Sequence, residues 1–219
     1  MNSVGRLVVA RPAVSIGWIM LALMSSAVAI ASYRYLIDFG PVPPAIAANK
    51  FKHPWLVLHA ASAATALLVG PIQFVSRLRA TRPKLHRWLG RIYVVCCIAG
   101  GVTGLVLALG ASTGPVSVLG FGLLAVAWTV STVIAWRAAV ERRFVQHQAW
   151  MIRSFALTCA ALTLRVYIPS LELLPVSFET GYRVISFACW VPNVLIAELL
   201  LSDWFKNLRA QSRRTAAKP

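Results

Sequence analysis

Charged residues are scarce in this sequence. They make up 13% of its 219 positions, where a water-soluble domain of similar length carries about 25%, and a chain surrounded by water is thereby excluded. Acidic side chains are rarer still, with Asp and Glu numbering 6 against 22 Lys and Arg. No H-x-x-H or comparable cluster of histidines with carboxylates occurs, so a metal-dependent enzyme would lack its ligands. The cysteines, Cys96, Cys97, Cys159 and Cys189, fall inside apolar stretches and show no C-x-x-C spacing. Neither a disulfide framework nor a zinc site is expected, and the four read as small buried apolar fillers. Serine-nucleophile motifs and glycine-rich phosphate loops are missing as well, which leaves open whether the chain catalyses anything.

Long apolar runs are what the sequence has in their place. Hydrophobic residues make up 58% of the chain, and six runs, 13–37, 55–76, 88–110, 116–136, 150–170 and 182–204, each reach the roughly 20 residues that a helix needs to cross a bilayer core of about 30 Å. None alternates polar and apolar as a membrane β-strand would. The expectation is an all-α, polytopic membrane protein: a cytoplasmic N-terminal stretch at 1–12, a single bundle of six transmembrane helices over 13–204, and a basic tail at 205–219 with almost nothing apolar to bury, hence disordered.

A net charge of +16 invites a nucleic-acid reading, but the cations are in the wrong places for one. Arg6 and Arg11 precede span one; Arg77, Arg79, Arg82, Lys84, Arg87 and Arg91 lie between spans two and three. Arg137, Arg142, Arg143 and the nearby Arg153 lie between spans four and five, and Lys206, Arg209, Arg213, Arg214 and Lys218 follow span six. Most basic residues therefore occupy alternate connections, on one side of the membrane, and such connections stay in the cytoplasm. The chain is expected in a bacterial inner membrane with both termini cytoplasmic, its basic face held to anionic lipid headgroups and no nucleic acid as partner. A cleavable signal peptide ending in "SSAVAIAS" is the rival reading of the N-terminus; the apolar run continues through "YRYLIDF", which favours an uncleaved first helix, and a mature start near Ser32 would remove it.

Short connections with breakers, "FGPVPP", "ASTGP" and "LLPVS", force neighbouring spans to run antiparallel. In span three "GGVTG" sets Gly100 and Gly104 four apart, a spacing that lets helix backbones approach closely; it predicts a central place for this span, or alternatively a homodimer face. Pro192 in the middle of span six should kink it, and Asn193 can satisfy a backbone group freed there.

Polar residues inside lipid are costly and usually have a use. With a rise of about 1.5 Å per residue, His59 and Arg165 come to the same depth in the outer leaflet, with Tyr167 and Tyr182 nearby. His86, His147, Arg91, Arg153 and Glu198 share the inner leaflet, where Glu198 needs a cation and Arg153 or Arg91 can supply it. "HRWLGR" and "HQAWMIR" echo one another, His86, Trp88 and Arg91 against His147, Trp150 and Arg153, although Trp and Arg are also ordinary interfacial anchors. Helical membrane proteins ligate b-type haem through imidazoles on facing helices, so His86 and His147 are a candidate pair and His59 a candidate at a second site. The expected polar cavity comprises Arg91, Arg153, Arg165, Glu198, Asn193 and Trp150 around these histidines, able to hold a b-type haem or a quinone-like redox cofactor. The alternatives are a small transporter, a lipid-binding module, or a structural membrane subunit that carries out no catalysis.

The segments "LHAASAATALLVGPIQF", "RPKLHRWLGRIYV", "QHQAWMIRSFALTCAALTLRVYIP" and "NVLIAE" together resemble the domain of unknown function 2306 family of bacterial predicted membrane proteins, from about His59 to Glu198. The resemblance implies a multi-span inner-membrane protein and no particular chemistry. By the family's motif, His59, Arg79, His86, Gly90, His147, Trp150, Arg153 and Arg165 are the positions to watch.

Overall fold

The computed structural model describes residues 16–216, with side chains through Lys206; the expected N-terminal stretch and the first residues of span one lie outside the described residues. The apolar runs become six spans, Ile16–Leu36, Trp55–Gln73, Pro83–Leu109, Pro115–Val140, Phe144–Leu173 and Phe178–Lys206, and no strand occurs among the described residues. This is the all-helical, six-span membrane architecture that the apolar runs predict.

Span one is α1 (Ile16–Ser32) continued by a 3-10 turn, Tyr33–Leu36. A short α2 (Pro44–Ala47) lies in the connection to α3 (Trp55–Gln73), and α4 (Ser76–Thr81) leads into α5 (Pro83–Leu109) and then α6 (Pro115–Val140). Span five is divided into α7 (Phe144–Thr158) and α8 (Ala160–Ser170), and span six into α9 (Phe178–Ala188) and α10 (Val191–Ala216). Pro83 and Pro115 each open a helix, where a missing N–H leaves nothing unbonded. Gly114, with φ 97°, makes the reversal before α6 in a region that other residues avoid. The last helix runs on to Ala216, into the stretch whose composition predicts disorder.

Outward faces are apolar. Leu23, Val95, Val102, Leu119 and Leu199 are all more than half exposed, as suits a bundle whose solvent is lipid. Inside, Tyr93, Cys97, Trp128, Met151 and Phe155 form the main core, and Phe155 packs its ring against Phe74 and Trp18 at 5.3 and 6.2 Å between centroids. Cys97 and Cys189 are fully buried while Cys96 and Cys159 are partly so, all four as free thiols.

The glycines of span three make close approaches, but within the subunit. A Cβ on Gly100 would come 2.9 Å from the Trp128 ring, one on Gly101 would meet the Thr129 side chain, and one on Gly104 would come 3.0 Å from His59. Gly100 and Gly104 thus face α6 and α3, so close approaches within the subunit account for their spacing. This span packs extensively against α3 on one side and α6 on the other, as a central place predicts, and α7 is the helix that touches α3, α6, α8 and α10.

Both divided spans break where they meet. The Cys189 carbonyl, beside the break before Pro192, accepts from Asn193 Nδ2 at 3.1 Å and from the Thr163 hydroxyl of α8. Asn193 thus does what its place beside a proline predicts, and Thr163 joins it from the other broken span.

One close helix approach, that of α3 to α7, is testable. A Cβ on Gly70 would stand 2.6 Å from the Phe155 ring and 3.3 Å from Tyr93, whereas one on Gly17 would meet nothing within 4 Å. Gly70→Ala should lower stability by about 1–3 kcal/mol through overpacking, read as a reduced Tm of the detergent-solubilised protein, while Gly17→Ala leaves Tm unchanged.

Candidate functional site

Along α3 the small side chains of Ala60, Ala63 and Ala64, followed by Leu67, line an interior space together with Gly100 and Gly104 of α5, a cavity of about 370 Å³. Spans one and three to six complete its walls, with Phe121, Leu124, Leu157 and Leu164 as apolar lining. A hollow of this size, mostly apolar with a few polar groups aimed inward, is how a small-molecule site is ordinarily built.

His59 and Arg165 both line it, as their equal depth predicts. The missing side chain of Gly104 makes room for the imidazole, whose Nδ1 lies 2.8 Å from the Gly100 carbonyl. A carbonyl only accepts, so Nδ1 carries the proton, and in the neutral form of the ring a lone pair is left on Nε2. Arg165 bends back along α8 to donate to the Ala161 carbonyl at 3.0 Å and reaches across to the Ser32 hydroxyl at the end of α1 at 2.5 Å. Arg34, also in the lining, lies over the Tyr35 ring at 4.9 Å and donates to the Tyr35 hydroxyl at 3.2 Å. Neither arginine has a carboxylate partner among the described residues. Tyr182 stacks between Phe178 and Phe121 and presents to the cavity a phenol with no hydrogen bond among the described residues. Tyr167 instead lines a second, smaller hollow with Leu171 and Ile185.

The floor of the cavity is a hydroxyl network that sequence reasoning passed over. Thr158 Oγ1 accepts from Trp128 Nε1 at 2.9 Å and shares a hydrogen bond with the Tyr93 hydroxyl at 2.9 Å. Tyr93 also meets Ser154 at 3.1 Å, and Ser154 meets Thr132 at 2.7 Å. Five buried side chains thereby tie α5, α6 and α7 together with few polar atoms left over. The signal was present as two pairs four residues apart on apolar helices, Trp128 with Thr132 and Ser154 with Thr158.

The other expected site residues go elsewhere. Arg153 and Glu198 form a two-bonded ion pair, Nε to Oε1 at 2.5 Å and Nη2 to Oε2 at 2.8 Å, with the guanidinium 4.6 Å from the centroid of the Trp150 ring. This is the partner that Glu198 was expected to need, but the pair joins α7 to α10 on the periphery, with Glu198 about half exposed. Arg91 is exposed. Asn193 serves the Cys189 carbonyl. None of Arg91, Trp150, Arg153, Asn193 or Glu198 lines the cavity, which corrects the expectation of one polar site holding them all. His86 and His147 are brought near one another at the far ends of α5 and α7; His147 Nδ1 is held by the Ala135 carbonyl at 2.9 Å, and neither ring lines the cavity.

A double-mutant cycle checks the peripheral pair. Arg153→Gln and Glu198→Gln should each lower Tm, and the double variant should lose less than their sum, with a coupling of about 0.5–2 kcal/mol; additive losses would mean that the two side chains do not meet.

The family comparison covers most of this architecture. The model of the family described as a predicted membrane protein, DUF2306, matches residues 56–201, which takes in His59, the glycines of α5, the hydroxyl network and Arg165. No curated protein and no solved structure matches the chain. With the greater part of its length matched, the chain belongs to the DUF2306 family of predicted membrane proteins.

Proposed function

We propose that this protein is an intramembrane binding protein whose cavity takes a quinone-like ligand, a flat ring bearing opposed oxygens on an apolar body. The observation that carries the reading is Arg165, a guanidinium without a carboxylate, lining the same apolar hollow as the free Nε2 of His59. A ring hydroxyl can donate to that lone pair while the opposite oxygen accepts from Arg165. Tyr182 offers a further hydroxyl, and the alanine and leucine walls suit the ring and its substituents. Because the sequence puts the basic connections in the cytoplasm, we place the cavity in the outer leaflet of a bacterial inner membrane.

A b-type haem has less support, because two facing imidazoles are needed and His59 is the histidine that lines the cavity. One observation favours a second reading. Arg34 and Arg165 together, with no acid beside them, also suit the head of an anionic amphiphile such as an alkyl phosphate.

Calorimetric titration of the detergent-purified protein with a short-chain benzoquinol tests the proposal. Saturable binding is expected, weakened about tenfold or more in Arg165→Met and in His59→Phe, each of which removes a hydrogen bond to the ligand. Arg91→Gln, outside the cavity, should bind as the wild type does. Absence of saturable binding, an unchanged affinity in Arg165→Met, or displacement of the quinol by an equal concentration of dodecyl phosphate would overturn the quinone reading, the last in favour of the anionic amphiphile.

A further inference from the structure

The basic end of the bundle holds polar groups that the cavity does not use. Gln73, the last residue of α3, is 6% exposed, and its Nε2 has no hydrogen-bond partner. The absent side chain of Gly90 accommodates the amide, since a Cβ there would come 3.3 Å from Gln73 Oε1. One turn earlier on α5 stands His86, whose Nδ1 is buried and also unpartnered. Two orphaned atoms so close together in a well-satisfied interior need an explanation, because each forfeits the hydrogen bonds it would make in water.

Their surroundings carry one sign of charge. Arg79 on α4, Arg87 on α5 and His147 on α7 are near enough for their charges to act on His86. Arg79 is half-buried and makes no ion pair among the described residues. The acids on neighbouring elements are already engaged, Glu141 by Arg143 and Glu198 by Arg153. An amide N–H, two imidazoles and a guanidinium gathered without a carboxylate form a set of donors and cations that calls for an anion with several oxygens. Val75, Leu85 and Trp88 are exposed around it, at the level where a helix leaves the hydrocarbon and lipid phosphates lie.

We propose that Gln73, Arg79, His86 and His147 form a phosphate-binding site at the basic end of the bundle. It is separate from the cavity of His59 and Arg165 and takes either the phosphodiester of an anionic phospholipid or free phosphate. In the lipid case the acyl chains would lie along Val75, Leu85 and Trp88. A basic end described only as attracted to a charged surface needs no buried donors, and the unpartnered Gln73 amide is what distinguishes a site from such an attraction.

Native mass spectrometry of delipidated protein tests this. Separate samples are given phosphatidylglycerol, phosphatidylcholine or inorganic phosphate, and the adduct mass identifies what is retained. One phosphatidylglycerol should be retained in preference to phosphatidylcholine, and that preference should fall about tenfold in Arg79→Gln and in His86→Phe, as the loss of one charge-assisted hydrogen bond predicts. Lys50→Gln, which removes an exposed charge elsewhere, should keep the preference. Retention of phosphate with no lipid preference supports the site with free phosphate as its ligand. Melting curves establish that the variants are folded; should one fail, Gln73→Leu replaces it with the same expectation. Equal retention of the two lipids with no phosphate adduct, or full retention in the folded variants, would overturn the proposal. Benzoquinol binding by Arg79→Gln is expected to be unchanged, so failure here leaves the cavity reading to its own test.

Discussion

A polar side chain held in hydrocarbon has to find its hydrogen bonds on a neighbouring helix, since neither lipid nor water will provide them, and that constraint organises this bundle. The bond from His59 Nδ1 to the Gly100 carbonyl shows how much follows from it. It needs α3 and α5 to come close, which Gly104 allows by having no Cβ. It also fixes the ring's tautomer and turns the remaining lone pair into a binding group. The cavity exists because the residues lining the same seam are alanines and glycines, too small to fill the space beside an imidazole.

The same constraint explains why charge is distributed as it is. Arg153 and Glu198 satisfy each other and tie α10, which touches only α7 and α9 among the helices that it contacts substantially, to the rest of the bundle. Trp128, Thr132, Ser154, Thr158 and Tyr93 consume their polar atoms among themselves and hold α7 in the middle. Besides the lone buried hydroxyl of Ser25 on α1, two regions stand apart from this closed accounting: the cavity with Arg34, Arg165, Tyr182 and the free Nε2 of His59, and the basic end with Gln73 and His86. Those are the places where a ligand can complete what the protein leaves open.

Much of the fold could be read from the sequence, because crossing a bilayer imposes a length and a composition that few other structures share. Depth was legible as well, and it paired His59 with Arg165 and Glu198 with Arg153 across more than forty residues of chain. Rotation about the helix axis was not. Counting residues says which leaflet a side chain occupies and nothing about which way it points, so Arg91, Arg153 and Glu198 were grouped with residues that face the interior although the structure sets them at the periphery. The glycine spacing likewise announced a close approach without saying to what, and within the subunit Gly100 and Gly104 turned out to meet Trp128 and His59. Gln73 carries no charge and sits at the end of an apolar run; nothing in its sequence context shows that its amide is buried without a partner.

Photolabelling of the protein in nanodiscs with an azidobenzoquinone, followed by peptide mapping, tests most directly whether the interior between His59 and Arg165 is where a ligand resides. The account predicts covalent label within 56–67 and 157–169, suppressed by excess unlabelled benzoquinol. Label distributed over the lipid-facing residues of α1 and α10, unaffected by that excess, would contradict it.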